Sequence, residues 1–245
     1  MTPMIDGASG FHLERIPEAT VLRLPVYQRI LQTFQRQGIQ TISSADLGRL
    51  AGENPASVRR DLSRLGSLGT RGTGYDVATV VDQIDRAFAS TSPKPVVLIG
   101  VGNLGRALIH SKGFFHNGPT PVGIFDADPE VIGTTEGGFV VQSQDALEAV
   151  IAEHQVKIAV LTLSAPQAQG VVERLVAAGV TYLLNFASIT LHVPSHVTIR
   201  YVDLSIELQA LGFYQTVEER RRGGMSVGSA GILTSQTTMG RRTKR

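Results

Sequence analysis

The chain has 245 residues, 42% of them hydrophobic, a formal net charge of +2 and no cysteine. That length accommodates two domains with separate cores, and the lack of cysteine excludes disulfides, thiolate zinc sites, cysteine-held iron–sulfur clusters and thiol-based redox sensing. No apolar run approaches the roughly 18 residues of a membrane span. The opening MTPMIDGASG lacks the basic and apolar regions of an export signal, so a soluble cytoplasmic protein with no membrane partner is expected.

The charge is unevenly spread. Segments 1–90, 91–214 and 215–245 carry +1, −4 and +5. The isoelectric point of about 9.1 therefore comes largely from the tail, and is by itself poor ground for nucleic-acid binding.

In chain order, residues 1–15 are predicted to be poorly ordered, and IPEA at 16–19 starts a short helical turn with proline near its first position. The main folding signal begins at Pro25, after which Val26, Tyr27, Ile30, Leu31 and Phe34 recur at helical spacing until Gly38. SSAD at 43–46 makes a capping-box-like start for a second helix carrying Leu47, Leu50 and Ala51. Asn54, with Pro55 behind it, caps a third helix that runs to about residue 67.

At about 100° per residue, Val58, Leu62 and Leu65 share one face of this third helix, and Ala56, Arg60, Ser63 and Arg64 lie opposite. A helix, a turn and a short helix presenting arginines and hydroxyls suit a major groove, where Arg reads guanine edges or phosphates. The glycine-rich stretch 66–75 then predicts a β-hairpin with Arg71 near its tip, in the manner of a wing. A solvated helical bundle with arginines of no specific role fits the same pattern.

Residues 77–89 predict a linking helix with Val80, Val81, Ile84 and Phe88 on its apolar side, and the breaker STSP at 90–93 places a domain boundary. Beyond it, the strand 96–99 opens into Gly100, Gly102 and Gly105, a G-x-G-x-x-G that leads into a helix from Arg106. The first glycine permits the tight turn, the second lets backbone approach a pyrophosphate, and the third lets helix and strand pack closely. Asp126 ends the next strand, 21 residues after Gly105, where a carboxylate accepts from ribose hydroxyls and repels a 2′-phosphate. NAD(H) is thus expected over NADP(H). A glycine-rich turn alone carries little, and DADP at 126–129 is also a good turn, so strand, helix and acid at the right distance make the case together.

The remainder alternates. Strands are predicted at 138–142, 157–163, 181–186 and 197–202, with helices at 145–153, 166–178 and 204–222, the last including Leu208, Leu211 and Phe213. This implies an α/β fold with a mostly parallel sheet covered on both faces. Residues 223–245 are Gly, Ser, Thr and basic, and are predicted to be disordered.

An NAD-dependent oxidoreductase would need a proton donor or base near the nicotinamide. His192 and His196 sit in a turn-like LHVPSH, and His110, His116 and His154 form no constellation with them, so no catalytic residue and no metal set is assigned. A CoA- or nucleotide-binding accessory subunit would not require the N-terminal helices. Neither alternative explains residues 25–76.

Five blocks then converge. IPEATVLRLPVYQRIL, ASVRRDLSRLG with TRGTGYDV, VVLIGVGNLG, LVAAGVTYLLNFA and VDLSIELQ resemble, in order and spacing from about Ile16 to Gln215, the Rex redox-sensing transcriptional repressors. The resemblance implies a flexible N-terminus (1–15), a winged helix-turn-helix domain (16–90), a Rossmann NAD(H)-binding domain (91–203), a dimer-swapped C-terminal helix (204–222) and a basic tail (223–245). It implies a homodimer on inverted-repeat operator DNA upstream of respiratory and fermentative genes, released by NADH, with NAD⁺ competing. Carried over by residue, Gly100, Val101, Gly102, Asn103, Leu104 and Gly105 form the pyrophosphate loop, Asp126 takes the ribose, and Leu163, Ser164, Asn185 and Phe186 lie beside the nicotinamide. Ser44, Ser57, Arg59, Arg60, Ser63, Arg64, Arg71 and Gly72 become DNA contacts, and Arg29 and Asp203 a switch pair. Two places depart from the family pattern: Arg64-Leu65 stands where an aromatic pair is common, and the segment around Ser111 lacks a tyrosine that some relatives use.

Overall fold

The computed structural model describes residues 16–66, 68–70, 74–88, 94–111, 113–115 and 118–227, and the chain divides into two compact units at residues 92 and 93. Arg71 and Gly72, together with the breaker at 90–93, lie outside the described residues. So do residues 1–15 and 228–245.

The first unit runs α1 (Glu18–Arg36), β1 (Thr41–Ile42), α2 (Ser44–Ala51), α3 (Pro55–Ser63), β2 (Gly69–Thr70), β3 (Gly74–Asp76) and α4 (Val77–Phe88). Side-chain caps set the starts of two helices: Ser43 accepts from the Asp46 N–H at 3.0 Å, and Asn54 from the Ser57 N–H at 2.8 Å. The hairpin of β2 and β3 is joined by β1, giving a small antiparallel sheet in the order β1-β3-β2. The two-residue β1 carries too little pattern to be seen in the sequence.

One helix replaces the two expected around Pro25. Pro17 stands at the N-cap of α1, and Pro25 lies inside it. An interior proline costs about 3 kcal/mol, but Leu24, Tyr27 and Leu31, each at most 1% exposed, bury one continuous stripe. At about 1.5–3 kcal/mol per large side chain, that stripe outweighs the proline. Its partners are Leu47, Val58, Leu62, Leu65, Val77, Val80 and Ile84.

Asp61 lies in the middle of this core and is 1% exposed. Its Oδ1 accepts from Thr20 Oγ1 at 2.8 Å and Arg23 Nη2 at 2.9 Å, and its Oδ2 from Arg23 Nε at 2.7 Å and Tyr27 Oη at 2.9 Å. Burial pushes the carboxyl pKa up, but the bonds from Arg23, Thr20 and Tyr27 together outweigh it and hold the group below the ordinary Asp range. Burial, then the bond to Asp61, raises the Tyr27 phenol, and the bond to Asp61 raises the Arg23 guanidinium.

The second unit is a seven-stranded sheet in the order β10-β9-β8-β4-β5-β7-β6. Its elements are β4 (Pro95–Ile99), α5 (Asn103–His110), β5 (Thr120–Asp126), β6 (Thr135–Glu136), β7 (Phe139–Ser143), a 3₁₀ turn (Gln144–Ala146), α6 (Leu147–His154), β8 (Ile158–Leu161), α7 (Ala165–Ala177), β9 (Tyr182–Asn185), β10 (Thr198–Tyr201) and α8 (Leu204–Val227). All neighbours pair in parallel except β6 with β7. Along β4, Val97 and Ile99 enter the core shared with α6 and α7, whereas Val96 and Leu98 enter the opposite core with Leu108 and Ile109 of α5. That period of two, buried on both sides, is what a central parallel strand requires. Helix α8 ends at Val227, five residues beyond the 222 expected.

Replacing Asp61 by Ala should destabilise the first unit by about 3–5 kcal/mol in urea denaturation, because it strands a guanidinium and two hydroxyls against a closed core. A loss below about 1 kcal/mol would contradict the network. Since the folded-state pKa is depressed, the Asp61 contribution is full above the unfolded value near 3.9 and is lost as pH falls through the folded one. The variant should therefore show a flatter acid limb.

Candidate nucleotide pocket and nucleic-acid interface

The carboxyl end of β4 turns sharply at Gly100, whose φ of +101° is in the region only glycine adopts freely. A Cβ there would stand 2.7 Å from the Thr162 carbonyl oxygen. Gly105, in the first turn of α5, faces Gly100 so closely that a Cβ would sit 2.0 Å from the Gly100 carbonyl oxygen. Gly102, the N-cap of α5, has nothing within 4 Å of the same position. The three glycines thus divide the work: two pack backbone on backbone, and the middle one leaves open space before the free N–H groups of a helix N-terminus.

Asp126 ends β5 beside this loop. Its Oδ2 accepts from the Val101 N–H at 2.6 Å, and its Oδ1 from Ala127 and Asp128 N–H at 2.7 and 2.9 Å. A carboxylate has about four lone-pair sites, so three such bonds fix its place and leave acceptor capacity. Leu163 and Ser164 follow β8, which pairs with β4 on the side away from β5. The strand order therefore reverses between β4 and β8, the topological switch point where open α/β sheets take their ligands.

Asn185 ends β9 and is 1% exposed. Its side chain is spent on the following turn, donating to the Ala187 and Ile189 carbonyls and accepting from the Ala187 N–H. Phe186 packs half-buried on the Leu98 and Ile124 side of the sheet. Beyond them a cleft of about 340 Å³ opens at the ends of β9 and β10, lined by Asn185, Ser188, Thr190, Tyr201, Asp203 and Ile206 among others. Asp203 accepts from the Ser205 hydroxyl and N–H at 2.6 and 2.9 Å, which lowers its pKa and caps the start of α8. Arg29 lies exposed on α1. Among the described residues no group of three or more His, Asp or Glu side chains is placed to hold a metal.

In the first unit, Val58, Asp61, Leu62 and Leu65 point into the core, and Ala56, Arg59, Arg60, Ser63 and Arg64 face outward. Arg59 Nη1 donates to the Ser44 hydroxyl at 3.0 Å, tying α3 to the first residue of α2. Ser57 is half-buried, and its N–H is the one Asn54 caps. The Ser63 hydroxyl donates to the Arg60 carbonyl at 2.8 Å.

Two further residues carry weight that pattern reading missed. Thr162 donates its hydroxyl to the Gly100 carbonyl at 2.6 Å, a neighbour that only strand order reveals. Asp61 was legible in principle: it stands three residues after Val58 on the apolar face, and Thr20, Arg23 and Tyr27 share one face of α1 at helical spacing.

Two family models match: "Putative DNA-binding protein N-terminus" over residues 15–63 and "CoA binding domain" over residues 91–189. Across both units the chain is 48% identical to the redox-sensing transcriptional repressor Rex of Streptomyces griseus, over 85% of this chain and 81% of the relative. The chain belongs to the Rex family of redox-sensing transcriptional repressors. Rex of Streptomyces coelicolor is 49% identical over 85% of this chain and 80% of its own length, and Rex of Desulfitobacterium hafniense 43% over 81% and 95%. Among solved structures, the Rex-type fold is matched by RSP in complex with β-NAD⁺ and operator DNA, with a TM-score of 0.74 and 30% identity over 88% of this chain and 99% of that one. RSP in complex with β-NADH gives 0.75 and 29% over 85% and 98%. These relatives are named as repressors and not as enzymes.

The glycine geometry predicts a sharp contrast in stability. Gly105→Ala should cost about 1–3 kcal/mol or more by forcing backbone from backbone, whereas Gly102→Ala should unfold within about 0.5 kcal/mol of the parent. Equal effects in chemical denaturation would show that the loop does not pack as described.

Proposed function

We propose that this Rex chain works in the cytoplasm as a homodimer that binds an inverted-repeat operator through α2, α3 and the hairpin, and that NADH at the β4–α5 loop releases it. The observation that carries the reading is the joining, in one chain matched across both units by Rex repressors, of a capped helix-turn-helix with outward arginines and a glycine loop closed by Asp126.

The residues fit the nucleotide. The open space at Gly102 and the N–H groups that start α5 would receive a pyrophosphate, and Gly100 to Gly105 form its cradle. Asp126, held by three N–H groups, would accept from the adenosine ribose and disfavour a 2′-phosphate. Leu163 and Ser164 would border the nicotinamide half, and Phe186 would offer its ring there. Asn185 would act by holding the turn after β9, since its own polar atoms are spent. Bound NADH and NAD⁺ differ by the positive charge on the oxidised ring, and that difference is the signal.

On the DNA side, Arg59, Arg60, Arg64, Ser57 and Ser63 would meet the major groove, Ser44 the phosphates at the start of α2, and Arg71 with Gly72 the minor groove. A dimer must set its two α3 helices about 34–36 Å apart, one DNA turn. Helix α8 supports dimerisation, because Leu204, Ile206, Leu208, Leu211, Phe213 and Tyr214 are each 60–71% exposed, an apolar surface that a second copy would bury. Arg29 and Asp203 would exchange partners between the two states. The CoA-binding match at 91–189 describes the sheet domain alone and leaves the first unit without a role.

Two variants separate the sites. Arg60→Ala should weaken operator binding by about 1–3 kcal/mol, the worth of one bidentate pair to a base edge, and leave NADH affinity unchanged by calorimetry. Asp126→Ala should keep operator affinity within about twofold while raising the NADH needed for release about 10- to 100-fold, the range for a charge-assisted hydrogen bond. Unchanged operator affinity in the first, or unchanged release in the second, would remove that residue from the mechanism.

A further inference from the structure

Thr162 joins the end of β8 to the β4–α5 loop through its side chain. Its N–H donates to the Ile99 carbonyl at 2.9 Å, continuing the pairing of β8 with β4. Its hydroxyl then turns across to the Gly100 carbonyl at 2.6 Å, with the Ile99 carbonyl 3.1 Å away. A hydroxyl has one proton, and the shorter distance gives it to Gly100. The same Gly100 carbonyl faces Gly105, where a Cβ would be 3.1 Å from the Thr162 hydroxyl oxygen. Strand end, glycine turn and helix start therefore meet on one part-buried oxygen.

We propose that Thr162 is a positioning residue for nucleotide recognition: its hydroxyl sets the orientation of the Gly100 peptide, and so couples the loop of Leu163 and Ser164 to the β4–α5 loop. This inference rests on the reading of that loop as the pyrophosphate cradle. The chemistry follows from where the bond lies. Gly100 has a φ of +101° and its own N–H is held by the Phe125 carbonyl at 2.8 Å, so with the Thr162 bond both polar groups at this turn are fixed from the neighbouring strands. Fixing them aims the N–H groups of the residues that follow. Thr162 also leads directly into the Ser164 N-cap of α7, so a displacement of either loop is felt by the other. Without the hydroxyl, the Gly100 carbonyl loses its donor and the Gly100–Val101 peptide is held from one side alone, by Asp126 on the Val101 N–H, so the cradle is less tightly preset.

The test uses the full-length dimer with three ligands: NADH, NAD⁺ and ADP-ribose, which keeps the pyrophosphate and lacks the nicotinamide. Thr162→Val removes the hydroxyl at nearly constant shape, and Thr162→Ser keeps it while removing the methyl. The expected result is that Val weakens all three ligands by a similar factor, about 5- to 20-fold for one lost buried hydrogen bond. Ser should restore binding to within about threefold, and the operator affinity of the nucleotide-free protein should be unchanged in both. Equal binding by Val and wild type would overturn the role, as would a Ser variant as weak as Val, which would assign the effect to methyl packing. A Val variant that loses NADH and NAD⁺ but retains ADP-ribose would overturn the coupling to the cradle. Should wild type itself bind none of the three, the nucleotide reading fails, an outcome distinct from all of these.

Discussion

The sheet domain depends on one contact, the approach of Gly105 to the carbonyl of Gly100, at a distance that no side chain could occupy. Because helix and strand meet there without a Cβ between them, the N-terminus of α5 is brought to the carboxyl edge of the sheet. Parallel order does the rest. It places the end of β5, with Asp126, on one side of the loop and the end of β8, with Thr162, on the other, so residues far apart in sequence converge on a single peptide, Asp126 accepting from its Val101 N–H and Thr162 donating to its Gly100 carbonyl. The site is preorganised by backbone more than by side chains, which suits a ligand whose common part is a pyrophosphate.

The first unit solves a different problem. Helix α3 has nine residues, too short to persist alone in water, and Arg59 and Arg60 lie on its outward face. Stability is supplied from behind, by Val58, Leu62 and Leu65 and by the buried Asp61 with its three donors on α1. Apolar residues of similar shape would serve burial as well. The ionic cluster instead fixes the rotation of α3 against α1, since its hydrogen bonds have direction. Switching then needs differential affinity: moving an equilibrium from 1:99 to 99:1 takes about 5.5 kcal/mol, which two sites of a dimer share at about 2.7 kcal/mol each.

Much of this was legible before the structure. The glycine fingerprint, Asp126 and the alternation of strands and helices are local signals, and so are the caps at Ser43 and Asn54. The outward face of α3 followed from its period alone. What escaped depended on tertiary partners. Pro25 reads as a helix start, and only the buried stripe of Leu24, Tyr27 and Leu31 explains why the helix runs through it. The resemblance implies that Asn185 lies beside the nicotinamide, and only the structure shows that its side-chain atoms are spent on the turn after β9. Thr162 could not be singled out, because its importance comes from the register of β8 on β4. The strand pair β6 and β7 reverses direction across a two-glycine turn, where the sequence suggested only one short strand.

In the proposed switch, nucleotide state in one unit controls DNA binding by the other. Fluorescence anisotropy of the wild-type protein on a labelled palindromic operator from upstream of its own gene, at fixed salt and fixed total nucleotide with the NADH fraction varied, tests it most directly. Full binding is expected in NAD⁺, with loss of anisotropy as the NADH fraction rises. Binding that is indifferent to the NADH fraction, in a protein shown to bind NADH, would contradict it.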